Sequence, residues 1–528
     1  MRRVAAFTRY SILIAPLILA AAPVSGQLID RTKAPNVAKA GIAKSFAQEV
    51  GAGRGDVTTP NSSAFIIARD PFRAVRRGRQ LFQRKFTRSE GHGPIMLDGV
   101  GDINTNLAIG AGLIDSCAGC HGRPRGSAGS GGNVVTRPDS RDAPHLFGLG
   151  LKEMLADEIT QDLRAIRADA IATAAARHRD VTKNLQSKGI RYGKITAHAD
   201  GSVDTSQVDG VDRDLRVRPF FHHGGTISIR EFSVGAWNAE MGMQAVDPEL
   251  RAAAAGGHFA TPSGMVLDGS TDTLESPRAV SETDDPDGDG KVNEIPTALV
   301  DYMEWYLMHY FKAGTYTQDN DTARGRQIFA RIGCDSCHIP DLTIEHDRRV
   351  ADVDTAYNPT SGIFNHLFAT AAANFHEVDD GTGFPTIKLP NGGSFVVKNF
   401  YADLKRHDLG PNFYENNYDG TQQKLFMTEP LWGVGTTGPY GHDGRSINLN
   451  EVILRHGGEA QASRDNYADL TDEQRERVLA FLNSLVLFPP DDTASNLDPG
   501  NPAAPGFPQF GHGSIKLTVL FNDPTDPE

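Results

Sequence analysis

Cysteine is scarce in this chain, with four residues in 528, and only three tryptophans are present. So few thiols exclude a disulfide framework, and a chain of this length can bury a core without one. Positive charge is also in deficit: 53 Lys and Arg face 66 Asp and Glu, a formal net charge of −13. An acidic surface disfavours nucleic acid and anionic membranes and suits a basic protein partner, although solubility alone would also explain it. Long apolar runs are missing, with one exception. Arg2, Arg3 and Arg9 precede the run Ser11 to Ala22, which contains Pro16 and is followed by the small residues Val24-Ser25-Gly26. That run is too short to span a bilayer comfortably. It has the layout of a secretory signal, residues 1–26, which leaves a mature chain without a membrane segment. An uncleaved anchor is the alternative.

The four cysteines fall in two copies of one motif, Cys117-Ala-Gly-Cys120-His121 and Cys334-Asp-Ser-Cys337-His338. C-x-x-C-H is the attachment signature of c-type haem. Its two thiols add across the porphyrin vinyl groups, and the adjacent histidine supplies an axial nitrogen. Structural zinc wants four ligands in paired clusters, and no second pair of zinc-like spacing accompanies either copy. A redox dithiol would not need the trailing histidine. Two covalently bound haem c groups are therefore expected. Attachment to this motif happens outside the cytoplasm, so motif and signal together predict a periplasmic protein.

Length alone suggests roughly two to four domains, and internal repetition narrows this. Arg77-Gly78-Arg79-Gln80-Leu81-Phe82 recurs as Arg324-Gly325-Arg326-Gln327-Ile328-Phe329, each copy upstream of a haem motif. Leu146-Phe147-Gly148-Leu149-Gly150 resembles Leu431-Trp432-Gly433-Val434-Gly435. Pro219-Phe220-Phe221-His222-His223-Gly224 matches Pro439-Tyr440-Gly441-His442-Asp443-Gly444, and the segments from Thr226 and Ser446 continue the match. The fold expected is mainly α: two cytochrome c-like haem domains in tandem with long loop and short β insertions. The first spans 27–295 and carries an insertion at 150–218. A linking helix covers 296–315, the second domain 316–490 and a tail 491–528. Within the insertion, Leu155, Ile159, Leu163, Ile166, Ala170 and Ala174 mark one helical face over Lys152 to Ala176. Extended runs are expected at Ile190 to Ala199 and Leu215 to Phe221, with Asp200-Gly201 as a hairpin turn.

These motifs, with Glu240-Met241-Gly242, resemble the bacterial dihaem cytochrome c peroxidase superfamily, which also contains the dihaem enzyme that matures tryptophan tryptophylquinone. The segments Leu146 to Ala174 and Leu431 to Ala460 are most similar to its dihaem oxidoreductase branch. The resemblance runs from about Gly78 to Leu487 with three variable blocks. It implies one open haem that reacts with hydrogen peroxide and one six-coordinate haem that passes electrons from a donor protein, a small cytochrome or a cupredoxin. It also implies that Glu240 is the distal acid. In the peroxidases a tryptophan precedes the first unit's Asp-Gly; His222 holds that register here, which puts the family's electron route in doubt and leaves Trp305 or Trp432 as substitutes.

Aligning the two Pro-aromatic-x-His-x-Gly signatures without a gap places His456 opposite Ala236. The second haem is then held by His338 and His456, with Met427 the rival sixth ligand. The first has His121 on one side and an open position on the other, because alanine cannot coordinate. A plain electron carrier would normally have both irons filled, so the asymmetry favours an enzyme. Peroxide reduction is the leading reading. Oxidation of a protein or organic substrate by a high-valent iron, and electron transfer alone, are the rivals. His442, Arg445 and Arg123 suit structural or propionate-binding roles. Finally, Asp285, Asp287 and Asp289 with Gly290 resemble the first half of an EF-hand loop. Position 12 is Pro296, so Glu294 would have to close a Ca²⁺ site there.

Overall fold

The computed structural model describes residues 44–93, 114–121, 142–309, 314–357, 367–417, 420–487 and 514–516. The signal segment, Arg123, most of the Gly91 to Ile114 stretch and most of the tail lie outside the described residues. Helices build the core, and the strands form small sheets of two or three. Among the described residues no helix is long and apolar enough to cross a membrane.

The repeated Arg-Gly-Arg-Gln segments lie in the helices Pro71–Gln83 and Asn320–Arg331. Each starts at an aspartate N-cap, Asp70 or Asp319, whose carboxylate accepts backbone N–H groups of the first turn. Each crosses a later helix at its glycine. A Cβ on Gly78 would lie 2.2 Å from the Tyr302 carbonyl oxygen, in the helix Thr297–Met308. A Cβ on Gly325 would lie 1.9 Å from the Arg477 carbonyl oxygen, in the helix Asp472–Asn483. The phenylalanines four residues on repeat the contact: Phe82 packs 5.7 Å from Tyr306, and Phe329 packs 5.5 Å from Phe481.

The second repeated segment obeys the same geometry. Gly148 and Gly433 both adopt left-handed φ, +72° and +81°, to start a helical turn. Two residues on, Gly150 abuts the last carbonyl of Thr297–Met308, and Gly435 abuts the last carbonyl of Asp472–Asn483. In the third segment an isolated bridge pairs Phe220 with Thr226 and another pairs Tyr440 with Ser446. Ser228 and Asn448 then cap the helices Ile229–Ala236 and Leu449–Arg455. The sequence repeat is therefore a repeat of backbone crossings.

The helix Thr297–Met308 lies inside the stretch 296–315 expected as a linking helix. It is more than a link between units. Every residue from Ala298 to Met308 is buried, and it closes the first unit as Asp472–Asn483 closes the second. Its apolar residues run all round the helix, as a core helix requires. It also carries Asp301 and Glu304, which with Asp247 surround the fully buried Arg230 at 2.5–2.9 Å. That ion cluster ties Ile229–Ala236 to the closing helix. Breaking a buried set of this kind costs about 3–5 kcal/mol.

In the insertion, the helix expected over Lys152 to Ala176 runs Leu149–Arg177 and buries Leu155, Ile159, Leu163, Ala170 and Ala174. The strands Ile190–Ala197 and Val203–Asp204 pair around the Asp200-Gly201 turn. A further strand, Val181–Ser187, pairs with the first of these through Lys188-Gly189. Both turn residues have positive φ, +48° and +82°, as a tight two-residue hairpin demands. Leu215 to Phe221 is not a strand. Leu215 and Phe221 both have positive φ, and Arg216 and Arg218 hold the segment through pairs to Asp157, Asp212 and Asp214.

Candidate functional site

A single cavity of about 520 Å³ is lined by residues of both Cys-x-x-Cys-His motifs. In the first unit the motif forms the short helix Cys117–His121. The Pro144 carbonyl accepts from His121 Nδ1 at 2.6 Å, which leaves Nε2 free to face the cavity. Burial lowers the pKa of His121, against the Pro144 bond and the nearby charge of Glu240, so the ring is held neutral as a ligand must be.

The opposing wall comes from Ile229–Ala236, whose first N–H groups are satisfied by Ser228 and by the buried carboxylate of Glu153. Burial pushes Glu153 up to about 7, partly offset by Arg348. After Ala236 the chain widens into one π-turn, Trp237–Met241, ended by Gly242 at φ +66°. Ala236, Trp237, Glu240 and Met241 all line the cavity. Such π-turns recur at functional sites because they re-aim side chains within a helix.

In the second unit the motif forms a tight turn, Cys334–Ser336, and the Tyr401 carbonyl accepts from His338 Nδ1 at 3.0 Å. The opposing helix Leu449–Arg455 does not widen. It stops, and His456 turns away at φ −57°, ψ 138°. The Val452 carbonyl accepts from His456 Nδ1 at 2.7 Å, again freeing Nε2. Burial, with the neighbouring His338 and Arg455, lowers His456 to about 4 despite the Val452 bond. The structure thus brings His338 and His456 to one region, and His121, Ala236 and Glu240 to another. Met427 also reaches the cavity, in the strand Leu425–Met427, where its N–H donates to the His222 carbonyl.

Between the two regions the repeated histidines meet. The His222 and His442 rings lie 6.0 Å apart, and Phe426 stacks on His442 at 4.1 Å. His222 donates to the Asp142 carbonyl at 3.1 Å, and Asp142 N–H donates to the His442 carbonyl at 2.7 Å. Of the two tryptophan substitutes, Trp432 lines the cavity and Trp305 does not. Trp305 donates to the Pro71 carbonyl at 3.0 Å and packs on His309 in the core. Arg445 is half-exposed and pairs with Asp443 at 3.2 Å.

Three wall residues carried no local signal in the sequence. Lys152 pairs with Glu429 at 2.5 Å, and His145 donates to the Trp432 carbonyl at 3.0 Å. They come from blocks far apart in the chain, so only folding assembles them. His145 is kept neutral by burial, which lowers it to about 4 against the Trp432 bond.

The acidic loop lies behind the π-turn. Asp285, Asp287 and Asp289 bring carboxylate oxygens within 4.8 Å of one another; Glu294 does not belong to that group. Glu294 is instead 2% exposed. Its Oε2 accepts from Gln244 N–H at 2.8 Å, while Oε1 has no partner among the described residues. Gln244 in turn donates to Asp287 and to Asn238, two residues before Glu240. Burial and the neighbouring carboxylates push Glu294 up to about 8, and burial pushes Asp287 up to about 6.

The residues present fit a porphyrin at each motif. No disulfide joins the four cysteines, and burial pushes the Cys117 and Cys334 thiols up to about 12. That is the reverse of what a reactive dithiol needs. The cavity reaches both motifs and has the apolar lining a porphyrin requires. The buried Trp237 Nε1–H has no partner among the described residues and borders the first region.

Residues 348–485 match the family described as "Di-haem oxidoreductase, putative peroxidase". That segment holds His442 and His456 and begins just after the second Cys-x-x-Cys-His motif. No curated protein matches. Among solved structures, Kuenenia stuttgartiensis hydrazine synthase pressurized with xenon is 16% identical over 36% of this chain and 55% of its own, with a TM-score of 0.19. A MauG-like protein associated with microbial copper homeostasis is 16% identical over 40% and 62%, with a TM-score of 0.18. The chain spans less than two thirds of either.

Proposed function

We propose that this chain is a periplasmic dihaem c-type oxidoreductase that reduces hydrogen peroxide. Cys117 and Cys120 would attach one haem and Cys334 and Cys337 the other. His121 alone would hold the first, while His338 and His456 would together hold the second. The observation that carries this reading is the difference between equivalent helix ends. Where the second unit stops and presents His456, the first presents Ala236 and then one π-turn bearing Glu240.

Haem, when bound, supplies the iron and the electron storage through which peroxide is reduced. The residues of this chain do the rest. His121, anchored through Nδ1, would hold the first haem through Nε2. Ala236 leaves room for a peroxide molecule opposite it. The Glu240 carboxylate accepts the proton of one peroxide oxygen and delivers it to the other, which leaves as water. The overall change is H₂O₂ with two electrons and two protons giving two waters. The electrons come from an external donor protein, a small cytochrome or a cupredoxin. Trp237 and Met241 keep bulk water from the face that Glu240 serves. At the second site, His338 and His456 would hold the haem between two imidazoles, and that group would store electrons without binding substrate.

Ca²⁺ is the third component of the proposal. Asp285, Asp287 and Asp289 offer hard oxygen ligands, and Glu294 would join them only through a movement of its side chain. A cation there would relieve the repulsion among these carboxylates and stiffen the Gln244–Asn238 connection to Glu240.

The test is electron paramagnetic resonance of the ferric protein followed by mixing with hydrogen peroxide. One high-spin and one low-spin signal are expected. Glu240→Gln should slow peroxide turnover by about 10²–10⁴-fold, the usual worth of a positioned acid–base group. Two low-spin signals and no high-spin signal in the ferric protein, or unchanged turnover in the variant, would overturn the proposal.

A further inference from the structure

One buried cluster of titratable groups takes no part in that chemistry. His407 lies in the strand Arg406–Asp408 and is 6% exposed. Its Nε2 is 2.9 Å from Asp403 Oδ2, and its Nδ1 is 2.7 Å from Glu459 Oε2. The cluster reaches the second attachment motif: polar atoms of Cys337, Asp403 and His407 all lie within 4.8 Å of one another. His407 and Glu459 line the cavity together with His338 and His456.

An ionised carboxylate only accepts hydrogen bonds, so a ring that serves two of them carries a proton on each nitrogen. His407 is therefore an imidazolium. Its partners are fixed by the backbone. Asp403 Oδ1 accepts from Lys405 N–H at 2.9 Å, and Glu459 Oε1 accepts from Asp408 N–H at 2.9 Å. Burial works against charge on the ring, but the bonds and charges of Asp403 and Cys337 outweigh it and push His407 up to about 11. Thioether formation removes the Cys337 share, while both carboxylates remain. A metal held by Cys337, Asp403 and His407 is ruled out by the same geometry. Both ring nitrogens are already engaged, and the sulfur belongs to the attachment motif.

We infer that His407 is a charge-setting, positioning residue for the second haem. Its imidazolium, clamped between Asp403 and Glu459 beside Cys337, holds the reduction potential of that centre up against the two carboxylates. The inference rests on the reading of His338 and His456 as axial ligands. Reduction removes one positive charge from the centre, so a fixed cation nearby favours the reduced form and a fixed anion the oxidised form. Asp403 is almost fully buried, whereas the Glu459 side chain is 48% exposed, so solvent screens Glu459 more.

The experiment is a spectroelectrochemical titration of the holoprotein at pH 6, with electron paramagnetic resonance to follow the low-spin signal. His407→Gln should lower the potential, changing the ratio of oxidised to reduced centre about tenfold at fixed applied potential, or about 59 mV for one electron. Asp403→Asn should raise it by a similar factor, and Glu459→Gln should raise it less. His407→Lys, which restores the charge, should return it toward the parent value. If His407→Gln fails to fold, His407→Asn is read in its place. A shift in one direction for all variants, or no shift while the low-spin signal persists, overturns the inference. Absence of a bis-imidazole low-spin signal in the parent protein overturns the axial assignment, and the inference with it.

Discussion

Gly78→Ala tests whether the repeated glycines are contact points or incidental. In an exposed helix interior, replacing glycine by alanine stabilises by about 0.8–1 kcal/mol. Here the new methyl would stand 2.2 Å from the Tyr302 carbonyl oxygen and 2.3 Å from Tyr306 Cβ. Neither atom is the free end of a flexible side chain, so the two helices must separate. Overpacking of this kind costs about 1–3 kcal/mol, and the backbone contact argues for the upper end. Setting the propensity gain against it leaves a net loss of about 2 kcal/mol. At about 2–4 °C per kcal/mol for a unit of this size, the melting temperature should fall by roughly 4–8 °C. Gly325→Ala should behave alike, because its methyl would meet the Arg477 carbonyl oxygen at 1.9 Å. Gly235, near the end of Ile229–Ala236, has nothing closer than 4.0 Å, so Gly235→Ala should leave stability unchanged or raise it. Circular dichroism melts of the three holoproteins give the answer. A rise in melting temperature for Gly78→Ala would refute the helix-crossing argument.

Other outcomes follow from the two sites. His456→Gly should convert the low-spin signal to high-spin and let an added imidazole restore it, read by electron paramagnetic resonance. An unchanged low-spin signal would make Met427 the ligand. Glu294 and Asp287 have folded-state pKa values raised to about 8 and about 6. The folded protein therefore binds more protons than the unfolded chain across that interval, and stability falls as pH rises from about 4.5 toward 8, by a few kcal/mol at most. In chelator the melting temperature should decline across this window, and millimolar Ca²⁺ should flatten the decline. An identical slope with and without Ca²⁺ would remove the cation from the proposal.

Much of the candidate site was legible because its signals are local. C-x-x-C-H is a five-residue motif, and the offset from Pro219 and Pro439 to Ala236 and His456 can be counted along the chain. The helix Leu149–Arg177 was legible from its apolar face. Leu215 to Phe221 misled, because alternating apolar residues imitate a strand where arginine–aspartate pairs and left-handed residues shape an irregular loop. Trp305 could not be separated from Trp432 by composition. Which of them faces the cavity depends on the rotation of Thr297–Met308 against Pro71–Gln83.

The sequence by itself determined where the two Cys-x-x-Cys-His motifs lie, which short segments recur in the same order around them, and that one copy presents alanine where the other presents histidine. These properties reside in residue identity and spacing. Only the tertiary structure decided that the repeated glycines are helix crossings, that Glu240 is carried on a π-turn, and that Lys152 meets Glu429. The clamp of Asp403, His407 and Glu459 belongs with these. Each depends on segments 50 or more residues apart being brought within a few ångströms, or on a local change in helix winding, and neither leaves a periodic mark in the chain.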